Sequence, residues 1–307
     1  MNDPTTLDFF CSLELRPVPV LVSINGAPTT TSRGLVINKL FTPEQHRKKG
    51  YAKTLLEHVH RVAKGAAVGA SGSPAGDDPT AVLSFLHSDV GSFYARFGWH
   101  IPSSATNLDT TWPAASLPAA PHPASPTPRP LSLADLRAVL PDDVALISAS
   151  LPAPSKTRMA IAPTFASHES SITRAVFDAE RLRRPAPTFW GLESGTRGDA
   201  ASWSFVTFTV DFARSTLRIL RWRSALEGRD GQDEALLRSA LAVAKRCGVE
   251  KAVAWSVEPR VLRGFSRDLR GVTDQRVLPL GAVAWYGEGG DDGREVEWDV
   301  NEAYGSY

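Results

Sequence analysis

The stretch LVINKLFTPEQHRKKGYAKTLLEHVHRVA, residues 35–63, constrains this chain more than any other. Leu35 to Phe41 is a β-rich apolar run, and Thr42-Pro43 ends it because proline cannot donate to a ladder. From Ala52 onward, Ala52, Leu55, Leu56, Val59, Val62 and Ala63 recur at helical spacing on one face. Between the two runs stand Arg47, Lys48, Lys49 and Gly50. A strand that turns into a helix is the building unit of an α/β fold. This helix has an unusual mouth. A helix N-terminus exposes unpaired backbone N–H groups and about half a positive charge, which suits phosphate oxygens, and glycine lets them approach. The spacing is neither a Walker loop nor a dinucleotide fingerprint. A pyrophosphate is the expected guest; a solvated basic helix start is the competing reading.

The same alternation continues downstream. Ala81 to His87 reads as a short buried strand, and Ser92 to Trp99 as a short helix stopped by Gly98. Gly65 to Pro79 reads as a flexible surface loop. At 307 residues the chain has room for two domains. Trp112 to Pro130, WPAASLPAAPHPASPTPRP, favours extended backbone over a packed element. The boundaries expected are a domain over 1–111, a Pro/Ala-rich linker over 112–131 and a second domain over 132–307. In the second, helical patterning at Ser132 to Val139, Ser170 to Arg183 and Asp233 to Cys247 mixes with β-rich runs. Those runs are Ser202 to Phe212, Thr216 to Trp222, Lys251 to Val257, Gly281 to Glu288 and Glu295 to Val300. The fold class is α/β with mixed α+β sheets.

Charge and cysteine usage narrow the function. The 34 basic and 33 acidic residues nearly cancel, so net charge indicates no nucleic-acid partner. Cys11 and Cys247 stand far apart without Cys-x-x-Cys or repeated His spacing, so neither a disulfide framework nor a metal site is expected. A reduced, cytoplasmic setting fits best. No 18-residue apolar run and no basic-apolar leader is present, so no membrane partner is expected.

The pattern Arg-x-x-Gly-x-Ala across Arg47, Gly50 and Ala52, followed one strand later by FYARFGW, resembles two motifs of the GCN5-related N-acetyltransferases. The pieces LFTPEQHRKKGYA, LHSDVGSFYARFGW, LRILRW and AWYGE…EVEWDVNEAYG are similar to landmarks of its fungal lysine N-acetyltransferase-like subgroup. The resemblance implies an acetyl-CoA-binding N-terminal half joined to a second, degenerate half of the same type that contributes to the acceptor site. Because Glu227 to Glu234, EGRDGQDE, carries no such loop after LRILRW, one cofactor site is expected. Only eleven residues precede Ser12, so the strand and two helices that wall the acceptor site in the family are not represented; a covered edge, for instance in a homodimer, is expected instead.

The resemblance also implies roles. Backbone N–H groups of Leu40, Phe41 and Thr42 would hold the pantetheine arm and thioester oxygen, and Arg47, Lys48, Lys49, Gly50, Tyr51 and Ala52 the diphosphate. Tyr94 occupies the family position whose hydroxyl donates to the departing sulfur; a phenol stays protonated at neutral pH, near a pKa of ~10. Glu14 resembles the glutamate of the subgroup's first strand and is a candidate base or ammonium ligand. A solvated edge carboxylate is the alternative. His87 and Asp89, at the end of the buried strand, are further candidates for proton transfer. Glu288, Glu295, Glu297 and Glu302 form a candidate acidic patch for a cationic amine, with Trp285 among the indoles of an apolar acceptor pocket. The expected activity is transfer of an acetyl group to a small-molecule amine, lysine-like by resemblance. A different acceptor or reaction in a fungal biosynthetic pathway, and a non-catalytic CoA-binding module, stand beside it.

Overall fold

Backbone pairing, more than sequence order, decides which segments belong together. The computed structural model describes residues 9–68, 81–102, 107–116, 127–227, 231–269, 271–287 and 296–305. In chain order the elements are β1 (Ser12–Ile24), β2 (Thr30–Phe41), α1 (Tyr51–Val68), β3 (Leu83–Ser88), β4 (Leu108–Pro113), β5 (Arg129–Leu131), α2 (Leu133–Ser150), β6 (Thr157–Ile161) and α3 (Phe165–Leu182). Then follow β7 (Gly191–Ser194), β8 (Ser204–Asp211), β9 (Thr216–Arg223), α4 (Gln232–Arg246), β10 (Lys251–Trp255), α5 (Pro259–Arg263), β11 (Val272–Gln275), β12 (Leu280–Trp285) and β13 (Val296–Asp299).

Contacts divide the chain into two units that interleave along it. The first takes Met1–Ala105, Leu151–Ala162 and Val277–Asp299; the second takes Thr106–Ser150, Pro163–Arg276 and Val300–Tyr307. The cut expected at 112–131 is therefore corrected. Strand edges must find partners, and β6 finds β1, β12 finds β3, and β13 finds β6, all in the first unit. Part of the expected linker is β4, which pairs with β10 and β11, and its end is β5, which pairs with β7. Residues 117–126 of that linker, most of the loop expected over Gly65 to Pro79, and Ser306 and Tyr307 lie outside the described residues.

The first unit has a six-stranded sheet in the order β12-β3-β2-β1-β6-β13. Between the parallel strands β2 and β3 the chain passes through α1. The apolar stripe of α1 packs as its spacing demands: Leu56 and Val59 meet Ile37, Leu86, Trp99, Ala282 and Ala284. Val62, at the margin of the stripe, is 52% exposed. Within this core the Trp99 indole N–H donates to Ser84 Oγ (2.8 Å), which lies 2.6 Å from the Tyr286 hydroxyl.

The second unit has a seven-stranded sheet in the order β11-β4-β10-β9-β8-β7-β5. Leu236, Leu237, Ala240, Leu241 and Ala244 of α4 enter its core with Trp190, Trp203 and Trp222, so packing accounts for those indoles. Charge is buried here too. The Asp143 carboxylate, fully buried on α2, accepts from Arg221 Nε (2.7 Å) and Nη2 (3.0 Å) and from Arg223 Nε (2.5 Å). Arg221 Nη1 donates to Glu302 Oε1 (2.5 Å), and the Trp222 backbone N–H donates to Glu302 Oε2 (2.7 Å), so the C-terminal tail is tied to β9. Removing one partner of such a network strands the others without water. Arg221→Met is expected to cost about 3–5 kcal/mol, read as a lowered denaturant midpoint for loss of structure.

His168 on α3 is completely buried, with Nδ1 3.0 Å from the Thr164 carbonyl oxygen and Nε2 2.9 Å from Thr207 Oγ1. Burial holds its pKa down to about 4. The folded imidazole thus stays neutral while the unfolded one, near 6.5, takes up a proton. Its contribution is full above pH ~6.5 and is lost as pH falls towards 4, a loss of roughly 3 kcal/mol. Urea midpoints across that window should fall in the native chain, with this component absent from His168→Gln.

Candidate active site

The end of β2 does not run straight. Glu14 faces Asn38 across the β1–β2 pair, yet Ser12 faces Phe41, so β2 carries one extra residue there. This is a β-bulge, which bends its strand and re-aims backbone groups. Lys39 adopts φ 53°, a left-handed conformation uncommon outside glycine. Leu40 packs against the α1-side core, while Phe41 is 50% exposed.

From Thr42 the chain folds tightly into α1. His46 N–H donates to the Pro43 carbonyl (2.9 Å), Arg47 N–H to that of Glu44 (3.2 Å), and Arg47 Nε to that of Thr42 (3.2 Å). Gly50 then takes φ 86°, a region L side chains rarely adopt, and a Cβ added there would meet nothing within 4 Å. Conformation, not crowding, requires the glycine. Thr54 N–H makes its α1 bond to the Gly50 carbonyl (3.0 Å). The preceding N–H groups, Gly50 to Lys53, are those a helix leaves without intrahelical acceptors. The first turn of α1 carries no acidic residue, and Arg47, Lys48 and Lys49 are exposed around it.

Residues before β1 complete this corner, a feature the sequence reading missed. The Phe10 ring stacks on Tyr51 at 4.8 Å and meets His46 edge-on at 4.7 Å. Thr42 Oγ1 donates to Cys11 Sγ (3.3 Å). Unpatterned aromatic residues next to a terminus give no periodic signal, so only the fold reveals them.

Tyr94 comes from a 3₁₀ segment, Gly91–Phe97, in the place of the short helix expected over Ser92 to Trp99. Its ring packs at 5.1 Å from Phe93. Burial raises the pKa of its hydroxyl, and the neighbouring Asp89 and Cys11 add to that rise. The phenol therefore keeps its proton at neutral pH. Glu14 differs. Its carboxylate lies 2.7 Å from Lys39 Nζ, and that hydrogen bond above all lowers its pKa. It is an ionised group of weak basicity.

Alternation along β3 sends His87 to the face opposite Leu86, where its ring lies 5.6 Å from Trp298 and 6.3 Å from Phe85. Asp89 is exposed in the turn after β3. Of the acidic patch expected from Glu288, Glu295, Glu297 and Glu302, the last two are described. Glu297 Oε1 lies 2.5 Å from Lys156 Nζ with Arg158 beside it, and Glu302 is the buried partner of Arg221. Each carboxylate already has its cation. Glu288 and Glu295 lie outside the described residues. Trp285 is 3% exposed, and its indole N–H has no hydrogen-bond partner among the described residues.

The second unit repeats the plan with different chemistry. Opposite β8, β9 carries an extra residue between Arg221 and Ile219, and α4 is entered through Gly231 at φ 77°. Both halves thus have a bulged strand and a glycine-led helix. The first turn of α4, however, carries Asp233 and Glu234. Asp233 accepts from Ser224 Oγ (2.5 Å) and Trp222 Nε1 (3.3 Å), and Glu234 accepts from the Ser266 N–H (2.8 Å). Both carboxylates put negative charge in the first turn of α4.

A bulged strand running into a glycine-led helix, twice in one chain, defines a GCN5-related N-acetyltransferase fold with a modified second half. The LYC1 GNAT-like C-terminal domain family matches residues 111–307, well over half of the chain, and the chain belongs to that family. A lysine acetyltransferase of Yarrowia lipolytica (strain CLIB 122 / E 150) is 31% identical over 97 residues, covering 26% of this chain and 22% of that protein. The chain thus matches under a quarter of that relative's length. A conserved protein of unknown function and probable N-acyltransferase from Enterococcus faecalis V583 shares the fold at a TM-score of 0.50 and 13% identity, over 89% of this chain and 58% of that one. A GCN5-related N-acetyltransferase from Kribbella flavida gives a TM-score of 0.48 at 13% identity, over 89% and 57%. Among the described residues no three His, Cys, Asp or Glu side chains cluster as metal ligands, and no helix is long and apolar enough to cross a membrane.

Were a diphosphate to dock at the mouth of α1, one substitution would disturb it. Gly50→Val forces a β-branched residue into a left-handed φ, at a cost of roughly 1–2 kcal/mol, and places methyl groups in the cradle. Calorimetry should show affinity for CoA falling at least ~10-fold while the folded state persists.

Proposed function

We propose that the chain is an acetyl-CoA-dependent N-acyltransferase that moves an acetyl group to the amine of a small molecule by direct attack on the thioester. One observation carries the reading: the bulge at Lys39, the open mouth of α1 behind Gly50, and the protonated Tyr94 hydroxyl all belong to one unit. The N–H groups of Gly50, Tyr51, Ala52 and Lys53 and the cations of Arg47, Lys48 and Lys49 receive the diphosphate. The splayed end of β2 offers N–H groups of Leu40, Phe41 and Thr42 to the pantetheine and to the thioester oxygen. The neutral amine nitrogen bonds to the carbonyl carbon, the carbon–sulfur bond breaks, the thiolate takes the Tyr94 proton, and the proton shed by the nitrogen returns through solvent to the Tyr94 phenolate. Glu14, held ionised by its ion pair with Lys39, is too weak a base to take the amine's proton.

A lysine-like acceptor is supported by the name of the Yarrowia relative. Two free cysteines fit a reduced, cytoplasmic setting. The carboxylates of Asp233 and Glu234 at α4 oppose a second diphosphate, which supports one acyl-CoA per chain. A second reading, an acyl-CoA-binding module without turnover, draws on the engagement of Glu14 by Lys39, which leaves the foremost expected base weak.

Mixing the chain with acetyl-CoA and lysine, or a panel of primary amines, should release free CoA. Tyr94→Phe is expected to lower kcat by about 10²-fold or more with acetyl-CoA affinity nearly unchanged. The alkaline limb of the native rate profile should lie above the ordinary tyrosine pKa of 10.0. Binding without release across the panel would select the second reading; no acyl-CoA binding at all would overturn both.

A further inference from the structure

Arg221 and Arg276 are both buried in the second unit, with opposite outcomes. Burial lowers the pKa of Arg221, but Asp143 and Glu302, at hydrogen-bond distance, more than reverse it. Burial brings that of Arg276 down to about 10, because Asp109 offsets it only in part. The Arg276 side chain has no exposed surface, and its Nε and Nη1 have no hydrogen-bond partner among the described residues. Nη2 donates to Asn107 Oδ1 (2.9 Å), Cζ lies 4.0 Å from the Trp255 ring centroid, and Nη1 is 3.6 Å from Asp109 Oδ1. Stacking on an indole favours the cation, yet its N–H groups lie in the guanidinium plane and still need acceptors.

Unserved acceptors stand beside these donors. Asn301, 1% exposed, donates through Nδ2 to the same Asn107 oxygen (3.2 Å), while its Oδ1 has no partner, and Asp109 Oδ1 has none either. Backbone pairing fixes the group. Asp109 of β4 lies opposite Trp255 of β10, Arg276 N–H donates to the Asn107 carbonyl (2.8 Å), and the Asn301 carbonyl accepts from Ser256 Oγ (3.0 Å). All of these residues belong to the second unit. A slight approach of Asp109 would serve Nη1 and leave Nε and Asn301 Oδ1 unmade. Buried polar groups in a native fold are paired, so a partner is owed here. Water could join a donor to an acceptor but carries no charge to offset the guanidinium.

We propose that this cluster binds the head group of an α-amino acid, its carboxylate on Arg276 and its ammonium between Asp109 and Asn301 Oδ1. A zwitterion supplies acceptors to the unserved cation and donors to the unserved oxygens, with no change in net charge. The ligand enters past Asp109, whose side chain is 30% exposed and makes no hydrogen bond to Arg276. Turning that carboxylate outward opens the guanidinium and presents the carboxylate to the incoming ammonium. The proposal does not rest on the transferase reading, because it is tested without acyl-CoA.

Three probes differ only in their head groups: lysine, cadaverine, which lacks the carboxylate, and 6-aminohexanoate, which lacks the α-ammonium. Calorimetry on the whole chain should show lysine binding most tightly, with cadaverine at least ~10-fold weaker. Arg276→Met should weaken lysine and 6-aminohexanoate at least ~10-fold and leave cadaverine unchanged. Asp109→Asn should weaken lysine alone. Circular dichroism verifies folding; should Arg276→Met fail to fold, the contrast between lysine and 6-aminohexanoate in Asp109→Asn decides. No lysine binding to the native chain, cadaverine binding as tightly as lysine, or lysine affinity unchanged in either folded variant overturns the proposal.

Discussion

The β1–β2 ladder holds the first unit in register. Its pairing runs unbroken from Glu14 opposite Asn38 to Val22 opposite Thr30 and then slips by one residue at the Ser12 end. Beyond that slip Phe41 still pairs with Ser12 of β1, whereas the pairing of β2 with β3 ends at Val36, so the tip of β2 extends past its β3 partner before the chain turns into α1. The bulge also explains why Lys39 tolerates a left-handed φ: strain of roughly 1–3 kcal/mol persists only where flanking pairs over-determine the backbone. The ion pair between Lys39 and Glu14 adds little by itself, because both side chains are substantially exposed. Its consequence is chemical. It fixes Glu14 as an anion beside the bulge.

What the sequence disclosed follows from the range of the interactions. The α1 stripe, Gly50 and the Tyr94 segment were readable because helical periodicity and glycine placement are local signals. The bulge was not, since nothing about lysine advertises a left-handed φ. The interleaved units were hidden for a different reason. Val20 pairs with Ile161, and Leu280 with Ser88, across separations that leave no local trace. The Pro/Ala-rich composition at 112–131 pointed to a boundary, although β4 and β5 begin and end that stretch as paired strands. Asp143, Arg221 and Glu302 look like surface charges in the sequence. Only the fold shows that they neutralise one another in the second unit.

That network gives a physical meaning to the most specific landmark of the sequence. Within AWYGE…EVEWDVNEAYG, Trp285 and Trp298 are buried in strands of the first unit's sheet, and Tyr304 is buried in the second unit. Glu302 accepts from Arg221 and from the Trp222 backbone. Substituting tail residues would therefore remove strand packing or expose a buried cation. The family match over residues 111–307 covers this same tail, so the portion of the chain that carries family identity also completes the sheet bearing the candidate cradle.

The two glycine-led helices show which effect governs anion binding. Gly50 and Gly231 enter α1 and α4 with similar left-handed φ, 86° and 77°, so both helices are entered through the same kind of turn. Their neighbours differ in sign. At α1 the nearby cations are exposed, and Arg47 already donates to the Thr42 carbonyl, so each adds only a few tenths of a kcal/mol to about 1 kcal/mol under physiological screening. At α4, Asp233 is partly buried and tied to Ser224 and Trp222, and burial raises its pKa. The duplicated geometry is thus set among charges of opposite sign, exposed cations at one mouth and carboxylates at the other.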